Sequence, residues 1–128
     1  MANRSFSPYR DVREFHRKFG HPAPRSLTNL SKETMRFRRK LTSEEATELV
    51  YELRANGSLA KIAAESVDLI YVVLGNLVAM GIPFEPIWAA IHSANMAKKV
   101  NPDGGKPIKP DGWKPADVEG ILGAKKHA

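Results

Sequence analysis

The sequence predicts an all-α fold, a bundle of four main helices followed by a short C-terminal helix. Three observations predict it. Apolar residues recur at spacings of three and four, the period of one helix face. Serines stand just before several of these runs, and glycines or prolines stand just after them. No stretch alternates apolar and polar residues as a half-buried strand would. At 128 residues the chain fits one domain, with a core over about 10–122 and a glycine- and proline-rich loop, a candidate lid, at 101–114.

Ser7 and Pro8 make an N-cap and first helical position, after which Val12, Phe15, His16 and Phe19 share a stripe until Gly20. His16, on that stripe, reads as a core residue. His21 to Pro24 is an extended connector, because each proline pushes its predecessor out of the helical region. Ser31 caps a second helix past Met35, Leu41, Leu49 and Leu53 to the Asn56-Gly57 stop, unless Ser43 begins a separate one. Ser58 caps a third through Met80. Its second half, Val67 to Met80, is apolar almost all round, and a chain this small can hardly surround it. We therefore expect a bundle completed by another subunit. Gly81-Ile82-Pro83 opens a fourth helix reaching about Val100, and Pro115 starts the last one.

Composition narrows the chemistry. Cysteine is absent, which excludes disulfides and thiolate metal sites and suits a reducing cytoplasm, the expected location. The N-terminus has no apolar leader segment. The Val67–Met80 run is interrupted by Asp68 and Asn76 and is short for a bilayer, so no membrane is expected as a partner. The net charge of +6 is uneven. Residues 1–40 hold eleven basic side chains against three acids, whereas residues 41–68 hold six acids against Arg54 and Lys61. A basic surround attracts a polyanion and an acidic knot repels it unless a divalent cation intervenes.

The acids are patterned. Glu44-Glu45-x-x-Glu48 lies on helix two and Glu65-x-x-Asp68 on helix three, and residues three or four apart share a helix face. Like charges so placed destabilise a helix by roughly a few tenths of a kcal/mol per pair. The Asn56-Gly57 turn makes the two helices antiparallel neighbours, and Glu48 and Glu65 are each about eight residues from it, so the pairs meet at one height. Four converging carboxylates suit a hard cation with oxygen ligands. Asp68 opens the apolar half of its helix, where an unpaired charge would be costly.

These motifs resemble the MazG-like and phosphoribosyl-ATP pyrophosphohydrolase-like superfamily of all-α nucleotide pyrophosphohydrolases. The resemblance extends from Arg36-x-Arg38, through the two carboxylate motifs and Asp68-Leu69-Ile70-Tyr71, to His92-Ser93-Ala94-Asn95-Met96-Ala97-Lys98, Asp103-Gly104-Gly105-Lys106-Pro107 and Gly112-Trp113-Lys114-Pro115. It implies that Glu45, Glu48, Glu65 and Asp68 hold Mg²⁺, with Mn²⁺ able to substitute, and that Glu44 is a further ligand or a water-orienting base. It also implies a homodimer or dimer of dimers, and hydrolysis of a (deoxy)nucleoside triphosphate to the monophosphate and pyrophosphate, as in nucleotide-pool house-cleaning. Phosphoribosyl-ATP pyrophosphohydrolase itself is the alternative identity.

Around this centre, Glu44, Glu45 and Glu48 are the candidate catalytic acids, with Glu44 or Glu45 as proton acceptor. Arg36, Arg38, Lys98 and Lys106 could pair with phosphates, Asn95 could read a base or ribose edge, and Trp113 could stack on a base as the loop closes. For each, an ordinary surface or packing role competes. Gly104-Gly105-Lys106 lacks the spacing and the Ser or Thr of a phosphate-binding P-loop. The rival readings are a non-enzymatic nucleic-acid binder using the Arg36–Lys40 cluster, which leaves the acidic knot unexplained, and a purely structural helical oligomer. A nucleic-acid partner is therefore not expected.

Overall fold

The computed structural model describes residues 5–127, with side chains described through residue 123. Five helices follow in order: α1 (Pro8–Phe19), α2 (Lys32–Glu52), α3 (Leu59–Ala79), α4 (Phe84–Met96) and α5 (Val118–His127). Among the described residues there is no strand, only an isolated bridge between Lys99 and Ile108. The all-α expectation is met, and α2 runs unbroken through Ser43.

Local chemistry sets the boundaries. Ser7 Oγ accepts from Arg10 N at 3.2 Å, Ser31 Oγ from Thr34 N at 3.1 Å and Ser58 Oγ from Lys61 N at 3.5 Å, each satisfying an amide that the first turn leaves unpaired. Gly20 ends α1 with φ of 73°, a left-handed conformation that glycine adopts without steric penalty. Two expected boundaries shift. α4 stops at Met96 rather than about Val100, because Lys99 exchanges both backbone hydrogen bonds with Ile108 at 2.9 Å. α5 begins at Val118, where Asp117 Oδ1 accepts from Gly120 N at 2.9 Å, so Asp117 rather than Pro115 sets its start.

The chain divides into two compact units, one ending at Ile82 and one beginning at Pro83. In the first, α3 packs against both α1 and α2. Its core is small: Tyr9 and Val12 of α1 meet Leu74, Val78 and Ala79 of α3, and His16 and Arg38 are buried with them. The connector between α1 and α2 is pinned across the end of α3 by Thr28 N donating to Met80 O at 2.9 Å, and Tyr9 Oη donates to Ile82 O at 2.8 Å. By length and composition α3 could cross a bilayer. Here it carries Glu65 and Asp68 and receives a buried arginine from α2, as the central helix of a folded unit. The apolar residues that α1 and α2 leave uncovered stay open, with Val67 60% and Ile70 56% exposed.

In the second unit α4 packs against α5. The intervening loop is held by its own bonds: Asn101 Nδ2 donates to Lys106 O at 3.2 Å, and Trp113 Nε1 donates to Ala94 O of α4 at 2.7 Å.

Candidate functional site

The α2–α3 hairpin brings the two acidic motifs together. Glu45, Glu65 and Asp68 each offer one carboxylate oxygen, and the three oxygens lie within 4.8 Å of one another. Glu48 stands against Glu65, close enough for a hydrogen bond that two carboxyl groups can share only if one is protonated. Glu44 is exposed and adds its charge beside Glu45.

Burial within the cluster is uneven. Glu45 and Glu65 are half-buried, and the Oε2 atom of each is shut off from solvent without a hydrogen-bond partner. Desolvation is therefore the first cause that raises the proton affinity of both side chains. The charges of Glu48, Asp68 and Glu44 add to it at Glu45, and the Glu48 hydrogen bond and the charges of Glu48, Asp68 and Glu45 add to it at Glu65. Asp68, by contrast, is exposed in the single chain. The desolvation cost expected at Asp68 thus falls on Glu45 and Glu65, whose side chains point into the α2–α3 seam.

Two buried carboxylate oxygens without donors, next to a third carboxylate, are the environment that a hard divalent cation satisfies. Neither sulfur nor a histidine joins the set, so the donors suit Mg²⁺ or Mn²⁺ rather than a softer metal. Glu45, Glu65 and Asp68 would hold the ion directly, with Glu48 next to them.

A polar clamp fixes the two helices in this register. Arg38 is only 6% exposed; its Nε donates to Asn76 Oδ1 and its Nη2 to Val72 O, both at 2.7 Å. Asn76 Nδ2 donates to Thr42 Oγ1 at 3.0 Å, and Thr42 Oγ1 donates to Arg38 O at 2.8 Å, which closes the circuit. Thr42 lies one turn before Glu45, so the clamp and the carboxylates share the α2 face that meets α3. Gly75 makes room for it: a Cβ there would lie 2.5 Å from Arg38 Nη2 and 3.0 Å from His16 Nε2. His16, buried as its place on the apolar stripe predicts, bonds through Nδ1 to Pro22 O at 2.8 Å. Desolvation lowers the proton affinity of its imidazole, opposed by the Pro22 bond and reinforced by the Arg38 charge.

The other predicted residues are distributed as follows. Arg36 is exposed and, with Leu30, Lys32, Met35 and Arg39, lines a shallow hollow near the start of α2. Arg38 has its guanidinium turned into the fold, so of the upstream arginines Arg36 and Arg39 are the ones that face solvent. In the second unit, Asn95 lines a small hollow with Trp88, Ile91 and His92, and Lys106 is exposed. The Trp113 ring carries Lys98 Nζ at 5.2 Å and Lys109 Nζ at 5.0 Å from its centroid while its Nε1 is bonded to Ala94 O. It anchors the loop to α4.

Sequence reasoning missed Thr42 and Asn76 as partners of Arg38. Asn76 was the available signal, an amide inside an apolar run that must find a partner if buried.

Comparison with curated proteins finds no match. The family model described as Phosphoribosyl-ATP pyrophosphohydrolase matches residues 12–95, well over half of the chain, and that span contains α2, α3, all five acids and the clamp. The chain therefore belongs to the phosphoribosyl-ATP pyrophosphohydrolase family, within the MazG-like all-α superfamily, and is a pyrophosphohydrolase acting on a nucleotide.

Proposed function

We propose that this protein hydrolyses a nucleoside triphosphate, ribo or deoxy, between the α and β phosphates in a Mg²⁺-dependent reaction, releasing the monophosphate and pyrophosphate. The observation that carries this reading is the pair of buried, unpartnered oxygens on Glu45 and Glu65 beside Asp68. Without a cation these acids repel one another; with one they present an electropositive centre to a triphosphate. When bound, Mg²⁺ would neutralise charge on the leaving pyrophosphate and orient the reacting phosphate.

The residues of the chain do the rest. Water attacks phosphorus, the bridging P–O bond breaks, and the water's proton passes to a carboxylate. We assign that role to Glu44, which is exposed, adjacent to Glu45 and outside the three-oxygen set. Arg36 and Arg39, exposed upstream on α2, supply positive charge toward the phosphates. We further propose that a second copy of the chain covers the exposed Val67, Ile70 and Val73 of α3, giving a homodimer or dimer of dimers, and that the protein works in the cytoplasm on the nucleotide pool.

A second reading is favoured by the family match: the substrate is phosphoribosyl-ATP, whose cleavage breaks the same α–β bond. A panel of ribo- and deoxyribonucleoside triphosphates together with phosphoribosyl-ATP, assayed with Mg²⁺ and with chelator, separates the two by relative kcat/KM. Pyrophosphate release that vanishes with chelator is expected. Primary products of nucleoside diphosphate and orthophosphate, or release indifferent to chelator, would overturn the proposal.

A further inference from the structure

Five aromatic rings from α1, α2, α3 and the first connector form one contact chain on the surface of the first unit. Phe15 meets Tyr71 edge-on at 5.5 Å and 88°, and Phe19 at 4.7 Å. Phe15 and His21 lie nearly parallel at 6.3 Å and 11°, and His21 and Phe37 repeat this at 6.2 Å and 12°. These rings touch one another yet stay open to solvent: Phe15 is 41% exposed, Phe19 56%, Phe37 48% and Tyr71 38%. Single exposed apolar residues are ordinary, whereas a contiguous patch marks a surface that meets something.

Its position says what that is. Helical periodicity places Phe37 on the same stripe of α2 as Glu44 and Glu48, and Tyr71 one turn beyond Asp68 on α3. The patch therefore begins about 5 Å along α3 from Asp68 and ends about 10 Å along α2 from Glu44, at 1.5 Å of rise per residue. A nucleotide with its phosphates at the carboxylates must extend its ribose and base over that scale. The occupant fits the chemistry as well. Parallel ring faces suit a planar heterocycle, for which stacking is the main attraction, and His21 adds a polar ring edge. A protein partner has a further surface to use, the exposed aliphatic Ile70 and Val73 of α3, which lie about 100° or more around the helix from Tyr71.

We propose that the Phe15, Phe19, His21, Phe37 and Tyr71 cluster is the surface on which the substrate's nucleobase stacks. This rests on the reading of the carboxylates as the phosphate end of the same site. It assigns base recognition to the α1–α2–α3 face and leaves Trp113 as the anchor of its loop.

The test measures binding by calorimetry, in Mg²⁺, of a purine nucleoside monophosphate and of ribose 5-phosphate, which lacks the base. Wild type is compared with Phe37→Ala, Phe19→Ala and Phe37→Trp, alongside KM for a purine nucleoside triphosphate and oligomeric state by light scattering. Loss of one stacking ring is expected to weaken the monophosphate by about tenfold or more and to raise KM in proportion. Ribose 5-phosphate binding should stay unchanged, and Phe37→Trp should retain affinity. Equal weakening of both ligands, no weakening of either, or nucleotide affinity lost only because the alanine variants change oligomeric state would overturn the proposal. Should wild type release pyrophosphate from no nucleotide while the monophosphate still binds in a ring-dependent way, the reaction assigned to the carboxylates fails and the stacking surface stands. Pyrophosphate release with ring-independent binding gives the opposite result.

Discussion

Replacing Arg38 by methionine keeps most of the aliphatic stem and removes the guanidinium that ties α2 to α3. Two bonds of 2.7 Å are lost, to Asn76 Oδ1 and Val72 O, and hydrogen bonds from a charged donor contribute about 1.5–3 kcal/mol each. Against this, the wild-type guanidinium is desolvated, with its proton affinity lowered for that reason; removing a buried cation recovers part of the loss. Asn76 keeps its bond to Thr42, and Val72 O has its helical amide, so neither partner is wholly orphaned. The balance is a loss of about 2–3 kcal/mol, which for a chain of this size lowers Tm by roughly 10 °C. Arg38→Lys should recover little of it, since a single ammonium cannot reproduce the fork that spans Asn76 and Val72. Thermal melts of both variants, with KM for the preferred nucleotide at saturating Mg²⁺, test the argument. A Tm within about 2 °C of wild type combined with a large rise in KM would refute it, showing that the guanidinium serves a phosphate rather than the α2–α3 register.

Three further outcomes follow from the same geometry. Glu65→Gln removes a half-buried charge whose Oε2 has no donor, so metal-free Tm should equal or exceed wild type while the Mg²⁺-induced rise in Tm disappears and pyrophosphate release falls by orders of magnitude; Asp68→Asn, at an exposed position, should lose the same Mg²⁺ response with metal-free Tm nearly unchanged. Because folding raises the proton affinity of Glu45 and Glu65, their contribution to stability is present below the ordinary glutamate range and is lost as pH rises through their elevated folded values. His16 acts oppositely, its contribution being lost as pH falls below the ordinary histidine range, so the acid effect is read as the difference between wild-type and Glu65→Gln melts across pH, with Mg²⁺ stabilising more at pH 8 than at pH 5. Trp113→Phe deletes the 2.7 Å bond to Ala94 O and should cost about 1 kcal/mol, seen in chemical denaturation, with KM little changed; a large KM effect at unchanged stability would identify the loop as a lid.

What the sequence determined by itself was local or periodic. The serine caps, the Gly20 stop, the Asn56-Gly57 turn and the three- and four-residue spacing of apolar positions act within a few residues, so they name the helices and bring Glu45, Glu65 and Asp68 to one level of an antiparallel hairpin. The structure alone decided which of those acids turns inward. Positions three apart share a face, yet once α2 is docked on α3 Glu65 Oε2 is shut off from solvent while Asp68 stays exposed, and periodicity carries no information on that docking. Arg38 was legible as a cation near the acids, but its partners lie 34 and 38 residues away, and pairing across that separation depends on how α2 docks on α3. The aromatic surface has the same origin. Phe15, Phe19, His21, Phe37 and Tyr71 come from three helices and a connector, so they become one surface only once α1 and α2 have both packed on α3.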